Sequence, residues 1–106
     1  MLEIRTYTLA SEEALEQYAT VHWARHVSSL AAYGITTHQV WREITGEQRP
    51  RLVALVEYGE GADPRAVTQA YMASPEFAAD MDGFAMDGIR GVESVFVEPV
   101  PLKLLP

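Results

Sequence analysis

Apolar and polar residues follow two different periods along this chain. From Leu2 to Leu9 the pattern alternates: Leu2, Ile4, Thr6 and Thr8 project one way, Glu3, Arg5, Tyr7 and Leu9 the other. Period two with Ile, Thr and Tyr enrichment predicts a strand. Ser11 follows as an N-cap, and Glu12 and Glu13 suit the positive end of a helix dipole. At about 100° per residue, Leu15, Tyr18, Ala19, His22, His26, Ser29, Leu30 and Tyr33 then share one helix face. That helix is predicted to run to about Tyr33 and to stop at Gly34, in the C′ position.

Ile35 to Ile44 reads as a second strand, with Ile35, Thr37, Gln39, Trp41 and Glu43 opposite Thr36, His38, Val40, Arg42 and Ile44. A polar loop from Thr45 to Pro50 leads into a third strand, Arg51 to Tyr58, whose run Leu52-Val53-Ala54-Leu55-Val56 predicts burial on both faces. Asp63-Pro64 and Ser74-Pro75 each pair a cap with proline at the first helical position. They predict a helix through about Ala73 and a short one carrying Phe77 and Met81. Asp82-Gly83, Asp87-Gly88 and Gly91 mark irregular backbone before a fourth strand, Val92 to Val97. Pro99 and Pro101 bar that strand from a central place.

The element order is βαββαβ with the second helix split, in a single domain over residues 1–106. This order predicts an α+β, ferredoxin-like, four-stranded antiparallel sheet with its helices on one face. Strands two and three carry large apolar or aromatic groups on both sides, so a second subunit should cover the bare face. The apolar tail, Pro99 to Pro106, is expected to reach that partner.

His22 and His26 sit one turn apart in the middle of the apolar stripe, with Trp23 on its shoulder. Buried imidazoles need hydrogen-bond partners and titrate near neutrality, which makes this face the first candidate for chemistry. A zinc site of the H-x-x-x-H kind lacks the internal glutamate and an evident third ligand, and no metal is expected. Haem would need more enclosure than 106 residues offer, and the glycines do not follow nucleotide-binding spacing, so no cofactor is expected. Acid–base work fits better. Imidazole moves protons at neutral pH, and Arg5 and Tyr7 on the facing strand can hold an oxyanion. His38 or Trp41 would join them depending on register. His26 and His22 are thus the candidate catalytic residues, with Arg5, Tyr7, Trp23, His38 and Trp41 binding substrate. Two core histidines that only satisfy packing and hydrogen bonds are the competing account, in which the protein is a non-catalytic dimeric ligand-binding or interaction module.

Composition narrows the partners. The chain has 8 basic against 15 acidic residues, a formal charge of −7, which disfavours nucleic acid and anionic membranes. No run of about 18 apolar residues occurs, so no transmembrane helix is expected. Without cysteine there is no disulfide or thiolate chemistry, and with no signal-peptide layout a cytoplasmic location is expected.

The strand Leu2-Glu3-Ile4-Arg5-Thr6-Tyr7-Thr8-Leu9 resembles the opening strand of the NIPSNAP family. The likeness continues through the His26 region, Gln39-Val40-Trp41, Leu55-Val56-Glu57-Tyr58, Ser74-Pro75-Glu76-Phe77 and Glu93-Ser94-Val95-Phe96-Val97. It implies the dimeric α/β-barrel superfamily, in which two ferredoxin-like protomers join their sheets and each holds a pocket between sheet and helices. It also implies a range of activities that includes cofactor-independent monooxygenases and cyclases on polyketide-like aromatics. His26 falls where that family commonly has a histidine. The expectation is a homodimer that binds a small apolar or aromatic oxygenated ligand and acts as a cofactor-independent enzyme of the monooxygenase or cyclase/isomerase type.

Overall fold

The computed structural model describes residues 1–103. Strands β1 (Leu2–Leu9), β2 (Ile35–Arg42), β3 (Arg51–Tyr58) and β4 (Ile89–Val97) form one antiparallel sheet in the order β2-β3-β1-β4. Helices α1 (Glu12–Gln17) and α2 (Trp23–Ala32) follow β1; α3 (Pro64–Met72) and α4 (Pro75–Asp80) precede β4. This is the predicted ferredoxin-like arrangement, with the proline-terminated strand at an edge. No helix among the described residues is long and apolar enough to cross a membrane.

The helices cover one face of the sheet. Glu3, Arg5, Tyr7 and Leu9 of β1 and Leu52, Ala54, Val56 and Tyr58 of β3 are buried there, and their apolar members pack with Leu15, Leu30 and Ile35 in the core. Burying this set removes enough apolar surface, at about 25 cal/mol per Å², to hold the helices on the sheet. Alternation puts Leu2, Ile4, Val53 and Leu55 on the reverse face, where they are only partly covered. The burial predicted on both faces of β3 is thus complete on the helix side alone.

Three departures from simple periodicity matter for the site. The first helix is not continuous: Tyr18–His22 form a π-helical turn in which the Trp23 N–H reaches back to the Tyr18 carbonyl. One extra residue per turn shifts the buried set from Leu15, Tyr18 and His22 to Trp23, His26 and Leu30. Trp23 therefore moves from the shoulder into the core. In β2 the register slips between Thr37 and Gln39. The inserted residue, His38, reverses the alternation, so Val40 turns toward the helices and Trp41, opposite Val53, turns away. Finally, β4 begins at Ile89 rather than Val92, after a short 3-10 turn at Met86–Gly88. Gly34 ends α2 with φ of 79°, the left-handed conformation that favours glycine at a helix end. Of the tail, Val100 and Leu102 are exposed; Leu104, Leu105 and Pro106, on which part of the tail expectation falls, lie outside the described residues.

Candidate active site

A cavity of about 400 Å³ lies between the helix-covered side of β1 and β4 and the walls made by α2, α3 and α4. Arg5 and Tyr7 form its floor; Tyr18, Trp23, His26, Tyr71, Phe77 and Met81 line it from the helices. Met72, Met86 and Val92 also line it and are more than half exposed, which places them at its mouth. A mostly apolar pocket with a few convergent polar groups is the usual form of a small-molecule site.

The arrangement around His26 fixes where its proton sits. Tyr71 donates its hydroxyl proton to Asp80 Oδ2 at 2.5 Å, and Ser29 donates to Asp80 Oδ1 at 3.0 Å. His26 Nδ1 lies 2.5 Å from the Tyr71 oxygen and 3.3 Å from Asp80 Oδ2. Tyr71 has one proton and gives it to the carboxylate, so Nδ1 must be the donor in its own contact. Nε2 then carries the lone pair, in a ring that lines the cavity, and has no hydrogen-bond partner among the described residues. The ring is held by Phe77, nearly parallel at 6.2 Å, and by Trp23, edge-on at 5.2 Å. Burial lowers the His26 pKa below its ordinary value, against the opposing pull of Asp80. The imidazole is therefore neutral near pH 7. Burial, reinforced by Asp80, raises the pKa of Tyr71, so the phenol keeps its proton.

Arg5 sits on the floor with its guanidinium buried. Its Nε donates to Glu3 Oε1 at 2.7 Å and its Nη2 to the Tyr58 hydroxyl at 2.7 Å, while Nη1 makes only a long contact of 3.5 Å to Tyr7. Burial alone would raise the Glu3 carboxyl; bonds donated by Tyr58 and Arg5 outweigh it and hold the pKa below the ordinary value. The Trp23 indole N–H is buried without an acceptor. An orphaned donor in a cavity wall is a group that a ligand's oxygen can satisfy.

His22 has a different place. It is fully buried and does not line the cavity. Its Nδ1–H donates to the Asp80 carbonyl at 2.7 Å, because a carbonyl can only accept, and its Nε2 then accepts from the Gln17 amide at 3.2 Å. Gln17 also donates to the Gly83 carbonyl, and Arg25 Nη1 donates to the carbonyls of Asp80 and Asp82. These bonds bind the end of α4 to the first helical segment, and they hold the backbone of the residue whose carboxylate holds His26. We expect His22→Ala to cost about 2–4 kcal/mol, from lost packing and orphaned partners together. Urea unfolding measures this; a change under about 1 kcal/mol would show that the clamp matters little.

The structure thus brings together Arg5, Tyr7, Trp23 and His26. His38 and Trp41 do not join them: His38 faces the reverse side of the sheet by alternation from Ile35, where it pairs with Glu57 at 2.7 Å, and the β2 bulge turns Trp41 to that side as well. Sequence reasoning passed over Asp80 and Tyr71 as site residues; Ser29, on the histidine face of the helix, bonds Asp80 rather than a histidine. A signal existed for Asp80, since a carboxylate at the last position of a helix opposes the helix dipole and needs another reason to be there.

Comparison with known proteins agrees with the fold. Among curated proteins none matches the chain in sequence. A NIPSNAP domain protein from Burkholderia xenovorans shares its fold with a TM-score of 0.73 at 18% identity, over 97% of both chains. A NIPSNAP family protein of unknown function from Agrobacterium tumefaciens gives 0.75 at 19% identity, over 96% of this chain and 89% of its own. An antibiotic biosynthesis monooxygenase gives 0.56 at 15% identity, over 95% of this chain and all of its own. The NIPSNAP family model matches residues 2–103, and the chain belongs to that family.

Proposed function

We propose that this protein is a cofactor-independent enzyme that removes a proton from an apolar, oxygenated, aromatic substrate, with His26 Nε2 as the base. The observation that carries this reading is the tethering of His26: Nδ1 is committed to Tyr71 and Asp80, and the free nitrogen belongs to a ring in the cavity wall. In the step itself, a substrate C–H or O–H bond breaks, its proton passes to Nε2, and the electron pair stays on the substrate as an enolate or phenolate. Asp80 balances the imidazolium that forms, and the Trp23 N–H and Arg5 Nη1 are the donors available to the new oxyanion. Such an anion can react onward with dioxygen, as a monooxygenase requires, or be reprotonated elsewhere, as a cyclase or isomerase requires. The fold shared with an antibiotic biosynthesis monooxygenase supports the first route as an analogy only. The protein works as a homodimer in this reading, its bare sheet faces joined.

A thermal-shift screen of aromatic ketones and phenols tests the site. At least one compound should raise the melting temperature of the wild type and fail to do so for His26→Ala. A screen in which every stabilising compound acts equally on both proteins would overturn it.

A further inference from the structure

A second, smaller cavity of about 280 Å³ adjoins the first. The two share Glu3, Thr68 and Ser94 in their linings, so these three side chains form a waist between neighbouring chambers. The register of β4 on β1 sets Ser94 beside Arg5 and Phe96 beside Glu3, which places the second chamber further along the same strands. Its lining differs in kind. The first chamber is walled by aromatic rings and methionines; the second adds Arg65 and Gln69 from α3, and the Thr68 hydroxyl shared with the waist lies between them in sequence.

The charge balance of this chamber is not closed. Glu3 is neutralised by Arg5 and takes a further bond from Tyr58. Arg65 has no such partner. Among the described residues, Arg5, Arg25, Arg42, Arg49 and Arg51 all spend their guanidinium groups on carboxylates, side-chain oxygens or carbonyls. Arg65 and Arg90 make no side-chain bond there, and Arg65 lines the second of these two chambers. Arg65 and Gln69 are exposed at the rim of this chamber, with the half-buried Thr68 between them, so the guanidinium is a cation available to a ligand's anion.

We propose that the second chamber holds a carboxylate of the substrate, which is therefore an aromatic acid rather than a neutral aromatic. This rests on the reading of the first chamber as the site where His26 acts. The spacing suits a molecule of two or three fused rings. Arg65 and Tyr71 are six residues apart on α3, about 9 Å along the axis, and Tyr71 touches His26. The acid lies at one end of the ring system and the reacting group at the other, with the waist between them. Arg65 and Gln69 fix which end enters first, and Arg65 makes the charge-assisted bond that sets the preference.

The test compares three probes by calorimetry: naphthol, a hydroxynaphthoic acid with its groups at opposite ends, and the methyl ester of that acid. The acid should bind the wild type about tenfold more tightly than the ester. Arg65→Met, an exposed and fold-neutral change, should erase that difference and leave naphthol binding unchanged. If naphthol binds but the acid has no advantage, or the advantage survives in Arg65→Met, the carboxylate chamber is overturned while the base site stands. If the acid binds through Arg65 but binds His26→Ala as tightly as the wild type, the chamber stands and the base site falls.

Discussion

Replacing His26 with glutamine is expected to slow proton abstraction by about a hundred- to ten-thousand-fold. The measurement needs no knowledge of the natural reaction. In heavy water an enolisable aromatic ketone such as tetralone exchanges its acidic C–H for deuterium each time a base removes and returns the proton. Glutamine fills much the same space and can still bond to Tyr71, so the loss would report the base and not the fold. The pH profile carries a second sign. Only neutral imidazole can accept the proton, and burial holds the His26 pKa below its ordinary value of 6.5. Exchange should therefore be on its plateau at pH 7 and decline only as pH falls through the lowered pKa. Asp80→Asn removes the group that pulls this pKa upward, so its acid limb should move to still lower pH. Its rate should also fall, by about tenfold or more, because the imidazolium loses its counter-charge. A purely structural Asp80 would alter stability and leave the limb in place. An unchanged rate in His26→Gln would end the proposal.

Much of this arrangement is visible in the order of residues, and what is hidden has physical reasons. Strand β1 is legible because strict alternation over Leu2–Leu9 has one interpretation, and it carries Arg5 and Tyr7 to the buried face. His26 is legible from its place in the helical stripe. The roles of His22 and His26 look alike at that level, since a wheel shows which residues face inward and nothing of what they meet. Their difference arises from α4, which packs against α2 from far along the chain and gives one histidine a carbonyl and the other a carboxylate. The π-helical turn and the β2 bulge are each one inserted residue, and period arguments assume no insertions. The first insertion moved Trp23 slightly; the second turned Trp41 away from the site, while His38 already faced away by alternation from Ile35. Asp80 and Tyr71 come together only through the turn between α3 and α4, so their pairing is tertiary and beyond any local pattern.

Assembly gives the other large effect, and it follows from the reverse face of the sheet. Trp41 and Val95 are 47% and 59% exposed there, beside the half-covered Leu2, Ile4, Val53 and Leu55. The charged groups on this face are partly satisfied within the chain: Glu57 by His38 and Arg51 by Glu43. The patch is thus apolar at its centre, where β1 and β3 run side by side. A contiguous apolar surface on one sheet face is the kind of patch that marks an interaction site. Joining it to a twofold copy buries both patches at once. A standard interface of about 1,600 Å², at about 25 cal/mol per Å², yields on the order of tens of kcal/mol before the costs of association and ordering. That surplus should make the dimer obligatory at micromolar concentration. Light scattering should give about twice the chain mass of 11.8 kDa. Leu55→Glu places a charge in the middle of the contact and should drive the protein to monomer or to aggregate. The wild type behaving as a clean monomer at that concentration would leave the apolar face without a partner and overturn the dimer.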